Sequence, residues 1–373
     1  MSPERHEAMN EFLRSAGWGD AALSPLPGDA STRRYVRLHR DGESAMLMDQ
    51  PQTAEEPQSS PGATPEERRA LGYNAVARLA GADCARFVAV ADFLRHRGLS
   101  APHVYAADMK TGFVLIEDLG NDLYANVLSN DHAGEEYSLY AAAIDVLAEL
   151  HTKPAPTGLG NGEPLHTYDE IALIAETDLL TEWFIPLALG RTATEHERGE
   201  HRALWYEALR PALALPPVFV HRDYHAQNLF WLPEREGAAR VGMIDFQDAV
   251  AGTVSYDLIS LLEDARRDVA PDLAEAMTQR YIDARQKTDA PFDGEAYRAQ
   301  AAVMAAQRNT KIAGIFARLY RRDGKPRYLS YLPRVWGYLE RDLRHPALAH
   351  LRRWYDRKIP AEARGRTIVG EAA

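Results

Sequence analysis

The sequence has almost no cysteine, since Cys84 is the only one among 373 residues. A single thiol excludes an internal disulfide framework and is typical of proteins from reducing compartments. The N-terminal segment is charged and has no apolar core of a secretory signal. These two absences predict a cytoplasmic protein.

Long apolar runs and an excess of positive charge are absent as well. No stretch approaches the roughly 20 consecutive apolar residues of a membrane span, so we expect no membrane as partner. The formal net charge of −11 predicts repulsion from phosphate backbones, which disfavours nucleic acid. The same charge is compatible with a cationic small molecule as substrate, although many acidic enzymes bind no cationic ligand. We expect a small-molecule substrate and a monomer.

The order of sequence patterns divides the chain into two parts. Alternating apolar residues predict strands within 26–38 and at 45–48, 104–107 and 113–116. Beyond residue 119 the apolar spacing is mostly helical, as in Tyr140, Ala143, Ile144, Leu147 and Leu150. Residues 50–66 are rich in Pro, Ser, Gln and Glu and predict a mobile loop near the start of a 50–85 insert. We therefore expect an α+β fold with a β-rich lobe over 1–118 and a helical lobe over 119–373.

Polar residues with a recognisable spacing lie on one loop and the strand pair after it. Residues 218–231 are V-F-V-H-R-D-Y-H-A-Q-N-L-F-W, and residues 241–246 are V-G-M-I-D-F. Phosphoryl transfer needs a carboxylate that receives a hydroxyl proton and oxygen ligands for Mg²⁺ beside the phosphates. The pattern matches that of protein kinases. It predicts a protein-kinase-like fold with Asp223 as the catalytic carboxylate and Asn228 and Asp245 as magnesium ligands.

Two further residues are predicted to support this loop. We interpret His221 as a structural residue that bridges backbone groups rather than as a proton carrier. Asp257, at the start of a helix, is a candidate scaffold for the loop, with simple helix capping as the alternative.

A site for ATP is expected between the lobes. The turn at 28–34 could cover the phosphates with backbone N–H groups, although a plain hairpin turn is the alternative. The segment 113–120 would supply the strand and hinge whose backbone pairs with adenine. The candidate contacts are Gly28, Ser31, Arg33 and Arg34 in the turn, and Glu117 and Leu119 in the hinge.

At these motifs the chain resembles the aminoglycoside phosphotransferase-like kinases, a family that includes choline, homoserine and methylthioribose kinases. The resemblance covers about residues 30–340. Within that family it is most similar to the anomeric kinases of acetylated amino sugars in bacterial cell-wall recycling. The segments that carry this closer similarity are D-A-S-T-R-R-Y-V-R at 29–37, 219–229, 244–249 and Q-R-N-T-K-I-A-G-I-F-A-R-L at 307–319.

The resemblance implies the reaction and its acceptor. The expected activity is ATP- and Mg²⁺-dependent phosphorylation of the anomeric hydroxyl of N-acetylmuramate and N-acetylglucosamine to the α-1-phosphates. Glu176 and Glu182 are candidates to bind sugar hydroxyls, unless they are solvated helix charges. Trp183 is a candidate to stack on the sugar ring, unless it packs in the core. The lactyl carboxylate of N-acetylmuramate would need a cation such as Arg308 or Lys311, unless these are structural charges.

The chain also departs from the family pattern. The third strand reads A-M-L-M-D at 45–49, without the lysine usual there, and 87–94 lacks the glutamate that would pair with it. We favour compensation by Arg33 or Arg34, because the catalytic-loop and metal residues are all present. A nucleotide-binding pseudokinase that serves as an interaction module is the alternative.

Two other activities remain open on the same fold. A kinase of an aminoglycoside or an amino alcohol would use the same catalytic residues. A protein kinase is disfavoured, because no A-P-E segment follows Asp245.

Overall fold

The chain forms an antiparallel sheet followed by a mostly helical region, in a computed structural model that describes residues 2–27, 33–51, 63–78, 84–129, 134–288 and 292–365. The sheet has the strand order β1-β2-β3-β5-β4. Its strands are β1 (Ala22–Pro25), β2 (Arg34–Arg40), β3 (Glu43–Asp49), β4 (Val104–Asp108) and β5 (Phe113–Glu117). The predicted turn at 28–32 and most of the predicted loop at 50–66 lie outside the described residues.

Helices cover both faces of this sheet. On one face lies α1 (Pro3–Ser15) and on the other α3 (Cys84–His96), whereas the short α2 (Pro65–Ala70) contacts the π-helical turn that follows it. Because side chains alternate along a strand, β3 sends Ala45 and Leu47 into the core under α1 and turns Met46 and Met48 toward the core that contains α3. The face with Met46 and Met48 is the one that meets the helical lobe.

The helical lobe is organised around one long helix. The helices are α4 (Tyr124–Val127), α5 (Glu136–Leu150), α6 (Glu170–Leu179), α7 (Ile185–Leu189), α8 (Glu195–Ala212), α9 (Tyr256–Leu262), α10 (Pro271–Thr288), α11 (Gly294–Asp323), α12 (Leu332–Asp342) and α13 (Ala349–Lys358). The 30-residue α11 packs along α6 and α12. A π-helical turn over Leu180–Phe184 continues α6 into α7.

Two short ladders carry the polar motifs. Strands β6 (Val218–Val220) and β9 (Val250–Gly252) pair with each other, and β7 (Leu229–Trp231) pairs with β8 (Val241–Met243). The sequence analysis predicted the strand pair after the loop but no partner for the strand before it. β6 pairs with β9, a strand that the analysis did not predict, and thereby brings the ends of the two motif loops together.

The α+β, protein-kinase-like architecture predicted from the sequence is confirmed. The boundaries differ in two places. The first strand begins at Ala22 rather than near Leu26, and the insert expected at 50–85 contains the helix α2, which ends at Ala70 before a π-helical turn over Asn74–Arg78. Gly72 has a φ of +96°, a conformation that ends a helix and that glycine adopts without strain.

Within the described ranges, no helix combines the length and the apolar character that a membrane crossing would need.

Candidate active site

The loop after β6 is held by a carboxylate from α9. Asp257 is fully buried and accepts the backbone N–H groups of His221 at 2.6 Å and Arg222 at 2.9 Å. Burial raises the pKa of Asp257 to about 7, although the two N–H groups oppose that shift. Arg222 has a φ of 75°, which is costly for a residue with a side chain. The two hydrogen bonds to Asp257 stabilise this strained path of the loop.

His221 is a buried neutral side chain. Burial lowers its pKa to about 4, and its ring packs edge-on against Tyr224 and Phe246. An imidazole that stays neutral at pH 7 among aromatic rings is suited to packing.

Asp223 and Asn228 face each other across the loop. The side-chain amide of Asn228 donates to the carbonyl oxygen of Asp223 at 2.9 Å, which leaves the amide oxygen for another partner. The carboxylate of Asp223 has no hydrogen bond within the described part of the chain. Burial would raise the pKa of Asp223, but it is lowered by electrostatic interactions with His225, Lys311, Arg222 and Arg308. This carboxylate is therefore ionised at neutral pH and available to receive a proton.

Asp245 follows β8 in a left-handed conformation, with a φ of 62°. Its carboxylate is 39% exposed and accepts a hydrogen bond from the Gln247 side chain at 3.0 Å. In the part of the chain that the structure describes, no three acidic, histidine or cysteine side chains converge on one metal site. The oxygens of Asn228 and Asp245 are of the type that Mg²⁺ prefers, and this ion usually takes one or two protein ligands and completes its shell with phosphate and water.

The two predicted cations of the nucleotide turn point in different directions. Arg33 Nη2 lies 2.9 Å from Asp245 Oδ1, so this side chain crosses from the β-rich lobe to the end of β8. Arg34 is exposed on β2. Gly28 and Ser31 lie outside the described residues. The geometry thus separates two arginines that the sequence analysis could not distinguish.

A cavity of about 280 Å³ lies between the sheet and the helical lobe. Its apolar lining comes from Leu26, Met46, Phe87, Ile116, Leu119, Leu123, Phe230 and Ile244. The backbone N–H and C=O of Leu119 bond to no other described residue. An apolar slot beside a free backbone donor and acceptor is suited to a flat heterocycle such as adenine.

The acidic side chains of the hinge form hydrogen bonds and ion pairs with other parts of the protein. Glu117 accepts from Arg235 at 2.5 Å and from the backbone N–H of His103 at 3.0 Å, so its carboxylate fixes the hinge. Arg37, a residue that the sequence analysis did not single out, lies 2.8 Å from Asp118 and donates to the carbonyl oxygen of Gly120 at 2.8 Å. Arg37 therefore links β2 to the hinge where both line the cavity.

Apolar side chains occupy the region where the family pattern has an ion pair. The face of β3 toward the cavity carries Met46 and the fully buried Met48. From α3, Phe87 stacks on Phe246 with ring centroids 4.9 Å apart. The missing lysine and glutamate are thus replaced by packing, and the neighbouring cation of α3, Arg86, donates to the backbone carbonyl oxygens of Gln247 and Ala249.

A buried ionic cluster, formed by Glu176, Arg222 and Lys311, lies beside the catalytic loop. Glu176 Oε1 is 2.9 Å from Arg222 Nη2 and 2.7 Å from Lys311 Nζ. The other oxygen accepts from Gln307 at 3.0 Å and from the hydroxyl of Tyr168. Burial would raise the pKa of Glu176, but the two cations lower it. One carboxylate between two cations leaves the cluster positive on its Asp223 side.

The remaining predicted acceptor residues are spread over the helical lobe. Glu176 has no exposed surface, which favours a role as counter-ion over a sugar contact. Glu182 lines a separate cavity of about 530 Å³, and Trp183 packs partly against the core. Arg308 is buried and donates to Ser260 Oγ at 2.9 Å. Lys311, with its side chain 15% exposed, is the one of these cations that the structure leaves partly accessible.

The sequence analysis missed the aromatic and amide partners of this cluster. Tyr168 and Tyr256 pack edge to face, and their hydroxyls lie 3.4 and 3.3 Å from Lys311 Nζ. Gln307 reaches Glu176 from the preceding turn of α11. Gln307 and Lys311 are four residues apart, a spacing that places both side chains on one face of a helix. This spacing could have predicted that the two side chains share a partner.

The sequence was compared with protein-family models and with proteins of known name. The profile of the phosphotransferase enzyme family matches residues 22–298. The N-acetylmuramate/N-acetylglucosamine kinase of Caulobacter vibrioides is 46% identical over 98% of this chain and 99% of its own. The enzyme of that name from Pseudomonas aeruginosa is 35% identical over 91% of this chain and 90% of its own.

Solved structures support the fold. A putative aminoglycoside phosphotransferase from Ralstonia eutropha aligns with a TM-score of 0.58 at 16% identity, covering 93% of this chain and 98% of its own. A microcompartment-associated aminopropanol kinase aligns with a TM-score of 0.57 at 15% identity, covering 90% and 98%. At such low identity these similarities concern the architecture alone.

Proposed function

The chain belongs to the phosphotransferase enzyme family, and on that premise we propose that it transfers the γ-phosphoryl group of ATP to the anomeric hydroxyl of N-acetylmuramate and N-acetylglucosamine. The observation that carries the reaction is the carboxylate of Asp223, which makes no hydrogen bond to the described residues, has a lowered pKa and shares its loop with Asn228. The choice of acceptor is supported by two relatives that are similar over nearly their full length, both of which are named N-acetylmuramate/N-acetylglucosamine kinase. The context is the recycling of cell-wall sugars in the cytoplasm.

In the proposed reaction, Asp223 orients the sugar hydroxyl at the anomeric carbon and accepts its proton. The oxygen attacks the γ-phosphorus as the bond to the β-phosphate oxygen breaks, giving the α-1-phosphate and ADP. Asn228 and Asp245 would hold Mg²⁺, whose charge offsets that of the phosphates. The free backbone of Leu119 would pair with adenine in the apolar cavity.

On the acceptor side we assign the accessible cation Lys311 to the carboxylate of N-acetylmuramate. Its charge already lowers the pKa of Asp223, which supports a location near the reacting hydroxyl. Arg308 contributes positive charge to the same region from the adjoining turn of α11, while its own contact is to Ser260.

The test is ATP consumption with Mg²⁺ across a panel of acceptors: N-acetylmuramate, N-acetylglucosamine, glucose, kanamycin, choline and homoserine. We expect turnover with the two acetylated amino sugars and none with their 1-O-methyl glycosides, because the methyl group removes the attacking hydroxyl. Turnover with kanamycin or an amino alcohol alone would contradict the acceptor. ATP binding without any turnover would indicate the pseudokinase alternative.

A further inference from the structure

The contact between Arg33 and Asp245 joins the two halves of the nucleotide site. Arg33 immediately precedes β2, whereas Asp245 follows β8, so the 2.9 Å ion pair spans the two lobes. The Arg33 side chain is 11% exposed and that of Asp245 is 39% exposed. The neighbours Tyr35 and Ile244 both line the nucleotide cavity. The pair therefore lies at the inner end of that cavity, where the metal carboxylate and the phosphates would meet.

The other cations near this end of the cavity have partners of their own, as Arg86 of α3 does in the backbone carbonyl oxygens of Gln247 and Ala249, at 2.8 and 2.5 Å. The inward side chains of β3 are Met46 and Met48, and α3 contributes Phe87. Arg37 lines the cavity too, but Asp118 and Gly120 hold its guanidinium at the hinge. Arg33 is thus placed where a phosphate-binding cation is needed.

We propose that Arg33 is a charge-exchange residue. In the nucleotide-free protein its guanidinium is the counter-ion of the metal-binding carboxylate Asp245, and on binding of the metal–nucleotide complex it transfers to the phosphate oxygens. The inference rests on the proposed function in so far as that function makes Asp245 a metal ligand and the cavity a nucleotide site.

The exchange has two consequences of opposite sign. Arg33 competes with a divalent cation for Asp245, so it weakens metal binding while the nucleotide is absent. Once phosphates are present, a guanidinium binds them with charge-assisted and bidentate geometry, so Arg33 strengthens nucleotide binding. Metal and nucleotide would then bind cooperatively, and by linkage each would increase the affinity for the other by the same factor.

Two binding measurements on purified protein, neither of which needs the acceptor sugar, test this exchange. Mn²⁺ binding is followed by electron paramagnetic resonance without nucleotide, and binding of a non-hydrolysable ATP analogue is followed by calorimetry with Mn²⁺ present. For Arg33→Gln we expect about a 3- to 5-fold tighter Mn²⁺ binding, the upper end for a partly exposed ion pair. We expect analogue binding about 10-fold or more weaker, as for loss of a hydrogen bond to a charged group.

Comparison variants separate this role from a general change of charge. Arg40→Gln removes the same charge at the solvent end of β2, where Arg40 pairs with Glu43 at 3.2 Å, and should leave both constants unchanged. Arg33→Lys should retain much of the competition with Mn²⁺ but recover analogue binding only in part, because an ammonium lacks the bidentate geometry. Unfolding midpoints establish that each variant is folded.

The proposal is overturned if Mn²⁺ binding to Arg33→Gln is unchanged or weaker, or if the analogue binds that variant as it binds the wild type. It is also overturned if Arg34→Gln, rather than Arg33→Gln, weakens the analogue. A wild-type protein that binds the analogue but phosphorylates no sugar would contradict the proposed acceptor and leave the exchange itself supported or refuted by the two constants.

Discussion

Asp223 combines burial with surrounding positive charge, and this combination keeps its carboxylate ionised. Burial alone would favour the neutral acid, whereas His225, Lys311 and the neighbouring arginines shift the pKa downward. A proton acceptor with a low pKa is a weak base, so its contribution to the rate lies in orienting the hydroxyl as well as in accepting the proton.

Replacing this carboxylate should separate chemistry from nucleotide binding. For Asp223→Ala we expect kcat with N-acetylglucosamine to fall by about 10²- to 10⁴-fold, the usual contribution of a positioned acid–base group. The affinity for an ATP analogue should stay close to that of the wild type, because Asp223 acts on the acceptor. Steady-state kinetics and calorimetry give the two values. Near-normal turnover by this variant would mean that another residue is the base.

Glu176 should be the most costly residue of the buried cluster to neutralise. Glu176→Gln leaves Arg222 and Lys311 buried without their shared anion, and we expect a loss of about 3–5 kcal/mol in the free energy of unfolding. Urea unfolding measures this loss. The double variant Glu176→Gln/Lys311→Met should recover part of it, because one unpaired cation is removed.

The control for this experiment is Glu170→Gln in the first turn of α6, where the carboxylate pairs with no cation within the described residues. This substitution should lower the free energy of unfolding only slightly. Equal stability of Glu176→Gln and Glu170→Gln would mean that the cluster is not a significant source of stability.

At the scale of elements, the crossing of α11 over α6 positions the cluster. A Cβ added to Gly314 would lie 2.4 Å from the carbonyl carbon of Leu179, so the two backbones are in contact there. This close approach brings Gln307 of α11 within 3.0 Å of the Leu173 carbonyl oxygen and of Glu176 on α6.

A methyl group at this crossing should therefore push the helices apart. For Gly314→Ala we expect a loss of about 1–3 kcal/mol in the free energy of unfolding, as for overpacking, and a lower kcat because Lys311 moves with α11. Gly337→Ala on α12 is the matched control, since a Cβ there meets nothing within 4 Å. That variant should gain about 0.5–1 kcal/mol from helix propensity. A neutral Gly314→Ala would show that α11 can shift without cost.

Elements were more predictable from the sequence than their long-range contacts. Alternation in A-M-L-M correctly predicted β3, because a strand with one covered face has a local period. The contact of Arg86 on α3 with the Gln247 carbonyl oxygen, at 2.8 Å, joins residues 161 apart and has no local signal. The same holds for β9 and for the ion pair of Arg33, which the sequence could not distinguish from Arg34.

For the whole molecule, buried histidines make stability depend on pH. His201 is fully buried and accepts a hydrogen bond from Trp205 at 3.0 Å, and burial lowers its pKa to about 3. The pKa in the unfolded chain is about 6.5. Since the folded pKa is the lower one, the stabilising contribution is present above pH 6.5 and is lost as the pH falls toward 3.

Replacing His201 should make the free energy of unfolding less dependent on pH below pH 7. His201→Phe should be less stable than the wild type at pH 7, because Trp205 loses its acceptor. Between pH 7 and pH 5, however, it should lose about 2 kcal/mol less. Urea unfolding at the two pH values measures the difference, with the exposed His6→Gln as the control. Parallel curves for His201→Phe and the wild type would show that His201 does not titrate on unfolding.

The replacement of an ion pair by Met48, Phe87 and Phe246 has a consequence for chemical labelling. Nucleotide analogues with an amine-reactive group modify kinases through a lysine that faces the phosphates. Here that part of the third strand carries the thioether side chains of Met46 and Met48. The cation proposed for the phosphates, Arg33, has a guanidinium, which is a poor nucleophile at neutral pH because it stays protonated. Reagents that rely on a third-strand lysine would therefore fail to label this protein at that position, even when nucleotide binds.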